Sequence, residues 1–229
     1  MRLKKHRYLK IELWVLVFVV CILVVKSAIM DIDSVKAGVL KQVVKIDRDN
    51  VEAYRFLVAH YDHLNDFEKA AKFQKQLVQI EPNEPTTWKN LGDEYASGGH
   101  YEEAIMAYNK AAQLDPNWPW PQICLAFTYQ DLGRYEEAIE AYKQVIKLSP
   151  NVVGLLLIGQ AYSKMGRYEE AVDAYKQVVN AEPNRAQAYY NLGELYLKMG
   201  NKDSALEEYK ILKTLDEGLA NKLSNLIYK

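Results

Sequence analysis

Apolar residues in this chain follow two rhythms. From Leu13 to Val25 they run without interruption (LWVLVFVVCILVV). Beyond residue 50 they recur at i, i+3, i+4 and i+7, which is one face of an α-helix. Trp88, Leu91, Gly92 and Tyr95 form one such set, and Tyr101, Ala104, Tyr108 and Ala111 form the next. Paired sets of this kind predict helix hairpins, and hence an all-α chain.

The hairpins repeat. YEEA occurs at 101–104, 135–138 and 168–171, and FEKA at 67–70 and KDSA at 202–205 extend the series. Ala70, Ala104, Ala138, Ala171 and Ala205 keep one period of 33 or 34 residues, as do Pro82, Pro116, Pro150 and Pro183. Gly99, Gly133, Gly166 and Gly200 separate the two helices of a unit, since glycine readily takes the left-handed conformation that ends a helix. The prolines close the second helix. One hairpin cannot bury its apolar faces alone, so the units are expected to stack.

A unit of this length and pattern resembles the tetratricopeptide repeat. Trp88, Leu91, Gly92, Tyr95, Gly99, Tyr101, Ala104, Tyr108, Ala111 and Pro116 give the fullest match. Units are drawn at 51–84, 85–118, 119–151, 152–185 and 186–219. The first is the most degenerate: Val58 stands where a small residue is usual, Asn65 replaces the turn glycine, and Phe73 comes one place early. The resemblance implies a right-handed α-α superhelix whose first helices line a concave groove for a protein or peptide. On that basis the candidate groove residues are Phe56, Lys89, Asn90, Trp120, Ile123, Phe127, Leu156, Leu157, Tyr190 and Asn191. The middle of this set is apolar and its ends are polar. Some relatives grip a C-terminal carboxylate with basic and amide side chains. Here Trp120, Cys124 and Leu157 fall at such places, so that clamp is not expected.

The stack is expected to be capped. Residues 31–50 contain an amphipathic helix (34–46) predicted to turn Val39, Leu40, Val43 and Ile46 inward. A final helix over 220–229 is predicted to turn in Leu223 and Leu226. The WPWP stretch at 118–121 reads as a rigid junction, because proline suits a helix's first turn.

Ahead of the repeats lies a basic flank, MRLKKHRYLK, and then an apolar stretch from about 11 to 30. Twenty residues are enough to cross a bilayer. A cleaved signal peptide has a similar start, but Lys26 interrupts the place where small residues would be needed and no A-x-A pattern follows. An uncleaved signal anchor is the favoured reading. Five Lys/Arg precede the span, which places the N-terminus in the cytoplasm and the repeats on the extracytoplasmic side.

Charge sharpens this division. Residues 1–30 hold six Lys/Arg and one Glu, while the rest holds 23 basic and 29 acidic side chains. An acidic folded part argues against nucleic acid as a partner. Cys21 and Cys124 are the only cysteines, and Cys124 reads as a small packed side chain rather than a nucleophile. His60 and His63 lack a third ligand at a required spacing, so no metal or cofactor is expected. Glu pairs such as Glu102–Glu103 recur with the repeat and suit helix starts, not acid–base catalysis. The sequence thus points to a non-enzymatic, membrane-anchored adaptor in an extracytoplasmic assembly or secretion process. A self-assembling repeat protein and an accessory subunit of an enzyme are the alternatives.

Overall fold

Short-range chemistry cuts the chain into hairpins. The computed structural model describes residues 32–229, and among these all regular structure is helical. Helix α1 runs through residues 32–46. With α2 (Val51–His63) and α3 (Phe67–Ile80) it lies in an N-terminal compact unit that ends at Pro82. The C-terminal unit begins at Asn83 and holds four hairpins. These are α4 (Pro85–Ser97) with α5 (Tyr101–Leu114), α6 (Pro119–Asp131) with α7 (Tyr135–Leu148), α8 (Val152–Lys164) with α9 (Tyr168–Ala181), and α10 (Ala186–Lys198) with α11 (Lys202–Leu215). A closing helix, α12 (Glu217–Ile227), packs on α10 and α11.

Each helix start has a chemical cause. The side chains of Asn50, Asp66, Asn151, Asn201 and Asp216 accept from backbone amides of the first turn. Pro85 and Pro119 occupy first positions, where an amide would have no helical partner. The hairpin turns share one geometry. Between α8 and α9, the Gly166 amide donates to the Ser163 carbonyl (3.2 Å) and the Arg167 amide to that of Tyr162 (2.9 Å), with Gly166 at φ +75°. Asn65 fills the same place in the first hairpin at φ 55°, which asparagine tolerates better than other side chains.

A Cβ added to Gly166 would meet nothing within 4 Å, so only its φ constrains the position. Gly166→Ala is therefore expected to cost about 1–2 kcal/mol. Calorimetry should show a fall of roughly 2–8 °C in melting temperature. An unchanged midpoint would contradict the left-handed turn.

In the α4–α5 and α8–α9 hairpins the helices meet where a small residue faces a tyrosine. A Cβ on Gly92 would lie 2.4 Å from the Tyr108 ring, and one on Gly159 2.5 Å from that of Tyr175. Ala126 takes this place in the second hairpin of the C-terminal unit and is fully buried. Alanines of the YEEA segments are buried as well, among them Ala104, Ala138 and Ala171. The core of the C-terminal unit continues from hairpin to hairpin through Ile105, Leu125, Tyr142 and Ile158. Neighbouring helices make nearly all the contacts, as in a stacked array.

Both caps differ from the pattern read in the sequence. In α1 the inward residues are Ala37, Leu40, Val43 and Val44, so Leu40 and Val43 pack as expected, while Val39 and Ile46 are 59% and 88% exposed. The helix carries apolar residues on two sides, and α2 takes the side bearing Ala37. At the other end α12 begins at Glu217, three residues earlier than expected, because Asp216 caps it. Ala220, Leu223 and Ile227 point inward, and Leu226 faces out. No helix among the described residues is long and apolar enough to cross a membrane. The span expected over 11–30 lies outside the described residues.

One acid on α11 is tuned by burial. Glu208 is half-buried, and loss of hydration pushes its carboxyl up from an ordinary 4.5 to about 7; Lys176 opposes the shift and Glu207 adds to it. A raised acid disfavours the folded state when charged, so stability falls as pH climbs from 4.5 through 7. Glu208→Gln is expected to flatten that fall in a melting-temperature series across the interval. An unaltered slope would mean that Glu208 titrates normally.

Candidate protein-binding face

The first helices of the C-terminal hairpins supply the candidate site, and α6 lies at its middle. Leu125, Ala126 and Thr128 commit one side of α6 to the core. The opposite side carries Trp120, Ile123 and Phe127 at i, i+3 and i+7. Trp120 is 56% exposed and Phe127 44% exposed, which is rare for side chains of this size, and Ile123 is half-buried. Phe127 is not loose: its ring meets that of Tyr142 edge to face at 5.9 Å. On α8, Val153 is 48% exposed and Leu157 half-buried. Leu156 is buried in the core with Val172 and Tyr175, so it offers no binding surface.

Polar contacts flank this patch on both sides. On α4, Lys89 Nζ donates to Asp93 Oδ2 at 2.6 Å, and the Tyr108 hydroxyl donates to Asp93 Oδ1 at 3.0 Å. Lys89 is thus held by a carboxylate, while Asn90 is exposed. Burial raises the Tyr108 hydroxyl well above its usual range, with Asp93 adding to the shift. The Cys124 thiol is pushed up to about 11 by burial and then by Asp93, so it stays protonated at neutral pH. On α10, the Tyr190 hydroxyl donates to Glu194 Oε1 at 2.9 Å, and Gln187 Nε2 donates to Asn191 Oδ1 at 2.8 Å. Asn191 is only 8% exposed.

Phe56 belongs to the N-terminal unit. It is half-buried, stacked on His60 at 6.3 Å, with Lys36 Nζ 4.1 Å above its ring. His60 also meets the Tyr61 ring edge-on, so packing accounts for it. Among the described residues no group of three His, Cys, Asp or Glu could hold a metal ion.

The patch was incomplete as read from sequence. Val153 was not among the candidates, although it holds the same second position in its helix as Trp120 does in α6. That register was the available signal. The Tyr108 hydroxyl that braces Asp93 was missed too, because its residue sits on a second helix.

Family models agree with this architecture. One described as "TPR repeat" matches residues 92–133 and 159–200. Two described as "Tetratricopeptide repeat" match 122–152 and 186–217. Together they cover just over half of the chain. The chain belongs to the tetratricopeptide-repeat family. Solved tetratricopeptide-repeat structures superpose well on it. A MamA protein is 24% identical with a TM-score of 0.64, over 75% of this chain and 94% of that one. MamA from Desulfovibrio magneticus RS-1, residues 41 to the end, is 20% identical with a TM-score of 0.62, over 73% and 96%. YrrB, described as a TPR protein with an unusual peptide-binding site, is 20% identical with a TM-score of 0.61, over 82% and 99%. These likenesses establish the fold alone. No curated protein matches the chain in sequence.

Proposed function

We propose that this tetratricopeptide-repeat protein is a non-enzymatic scaffold, held at a membrane by residues 11–30, that binds a protein or peptide on the first-helix face centred on Trp120. One observation carries the reading: Trp120, Phe127 and Val153 leave large apolar surface exposed between polar flanks on α4 and α10. Exposed apolar patches with polar rims mark protein-binding sites, and tryptophan is enriched among residues that dominate such interfaces. A peptide-binding site on YrrB, a fold relative, supports the use of such repeats for this purpose. Lys89 and Tyr190 are engaged with carboxylates, so the site suits an apolar segment better than an acidic tail.

The basic flank Arg2–Lys10 and the apolar run after it support a cytoplasmic N-terminus with the repeats outside. Assembly or secretion at that surface is the setting we infer. A photo-crosslinker placed at Trp120 in the full-length, membrane-inserted chain tests the binding face. The expected product joins the protein to one distinct heterologous chain. Products that join only two copies of the chain would establish self-assembly instead, and no product at all would remove Trp120 from the interface.

A further inference from the structure

We infer that the outward side of α1 lies in the surface of a lipid bilayer. Ile32, Val35, Val39 and Ile46 are 65%, 64%, 59% and 88% exposed. Their spacing of i, i+3, i+7 and i+14 puts all four within about 60° of one another around a helix of 3.6 residues per turn. The stripe runs roughly 20 Å along the helix. It faces away from Ala37, Leu40 and Val44, which fill the core of the N-terminal unit, and Val43 at its edge is half-buried against the same core. α1 therefore has two apolar sides, and the protein covers one of them.

The other helices of the chain provide an internal control. Ala37 is buried in α1 as Ala138 is in α7 and Ala171 in α9. Aligned on that alanine, the places of Val35, Val39 and Ile46 hold Glu136, Glu140 and Lys147 in α7, all exposed. α9 is likewise polar there, and so are α3, α5 and α11 apart from Met106. This side of the repeat faces water and is built from charged and polar residues apart from Met106, except in α1, where it is aliphatic. Repeat packing does not require the aliphatic residues, so another environment does.

The preceding sequence identifies that environment. The apolar stretch ends at Met30, two residues before Ile32. Two residues reach at most about 7 Å. If residues 11–30 span a bilayer, on which this inference rests, α1 must start at head-group depth. A helix there with one apolar side lies in the interface plane, with that side sunk among the upper acyl chains. The stripe carries no charge. Lys36 and Lys41 are drawn over the rings of Phe56 and Tyr61, at 4.1 and 4.9 Å from the ring centres. The contact is therefore apolar, and a zwitterionic bilayer is sufficient.

The test uses the full chain in phosphatidylcholine vesicles. Native thiols are removed by Cys21→Ser and Cys124→Ser, and an environment-sensitive fluorophore is attached through Val39→Cys, Ile46→Cys, Lys45→Cys or Val19→Cys in turn. Labels at 39 and 46 should emit at shorter wavelength than the label at 45, and nitroxides on the upper acyl chain should quench them while sparing 45. Quenching at 19 by deep nitroxides reports the span independently. If 19 is quenched but 39 and 46 respond no more than 45, the span stands and this inference falls. If neither 19 nor the stripe is quenched, both fall. Quenching of the stripe without 19 upholds surface contact without a span. Short-wavelength emission at 39 and 46 without lipid quenching would show that protein covers the stripe, overturning the inference.

Discussion

Replacing Tyr142 with alanine is expected to destabilise the C-terminal unit by about 3–5 kcal/mol. Tyr142 is 1% exposed and sits in the core with Ala126 and Ala138, its ring perpendicular to that of Phe127. Deleting the ring removes buried apolar surface and leaves a cavity that rigid helices close only in part. In a chain of this length the melting temperature should fall by on the order of 10 °C. Tyr142→Phe separates the ring from its hydroxyl, which donates to Gln130 Oε1 at 3.1 Å. That loss is worth about 0.5–1.5 kcal/mol, and toward the lower end here, since Gln130 is half-exposed and can turn to water. Equal losses in the two variants would mean that the ring packing contributes little. Contacts in this array run between neighbours, so faster amide exchange in Tyr142→Ala should concentrate in α6 to α8 and spare α12.

Trp120→Glu is expected to leave the fold intact and to remove binding. An exposed side chain away from core packing changes stability by no more than about 0.5 kcal/mol in either direction. A central tryptophan in an interface contributes about 2–4 kcal/mol, or roughly 30- to 1,000-fold in affinity. The measurement is titration of the crosslinked partner against both proteins, alongside thermal melts. Phe127→Glu should behave differently, because its ring braces Tyr142: binding and melting temperature should fall together. Retained affinity in Trp120→Glu, with an unchanged melt, would move the binding site elsewhere.

How much of this was legible depended on how strictly each position is constrained. The turn glycines must adopt positive φ and the YEEA alanines must vanish into helix contacts, so both recur on the period and reveal the hairpins. Proline at the start of α4 and α6 fixed those boundaries for a similar reason. Trp120 and Phe127 were placed by their register in the repeat, because the polar residues of α6 do not mark its faces: Thr128 is buried while both aromatics are exposed. In α8, Val152 to Ile158 are all apolar or glycine, so the 3.6-residue period is silent and only that register separates Val153 from Leu156. In α1 the difficulty was the reverse: two apolar sides exist, and only the position of α2 decides between them. The chain before residue 32 was read from composition alone.

The sameness of successive hairpins has a further consequence. α7 and α9 share nine of fourteen residues, including the tyrosine that meets the first helix of its own hairpin. Gly154 of α8 fits against Ile146 of α7, and the matching place in α9 holds the slightly smaller Val179. A second copy of residues 152–185, inserted after Arg185, would thus land on a surface much like the one it already occupies. The array behaves as a ruler graduated in single hairpins, and the reach of whatever it holds could be lengthened by duplication without redesigning any part of it.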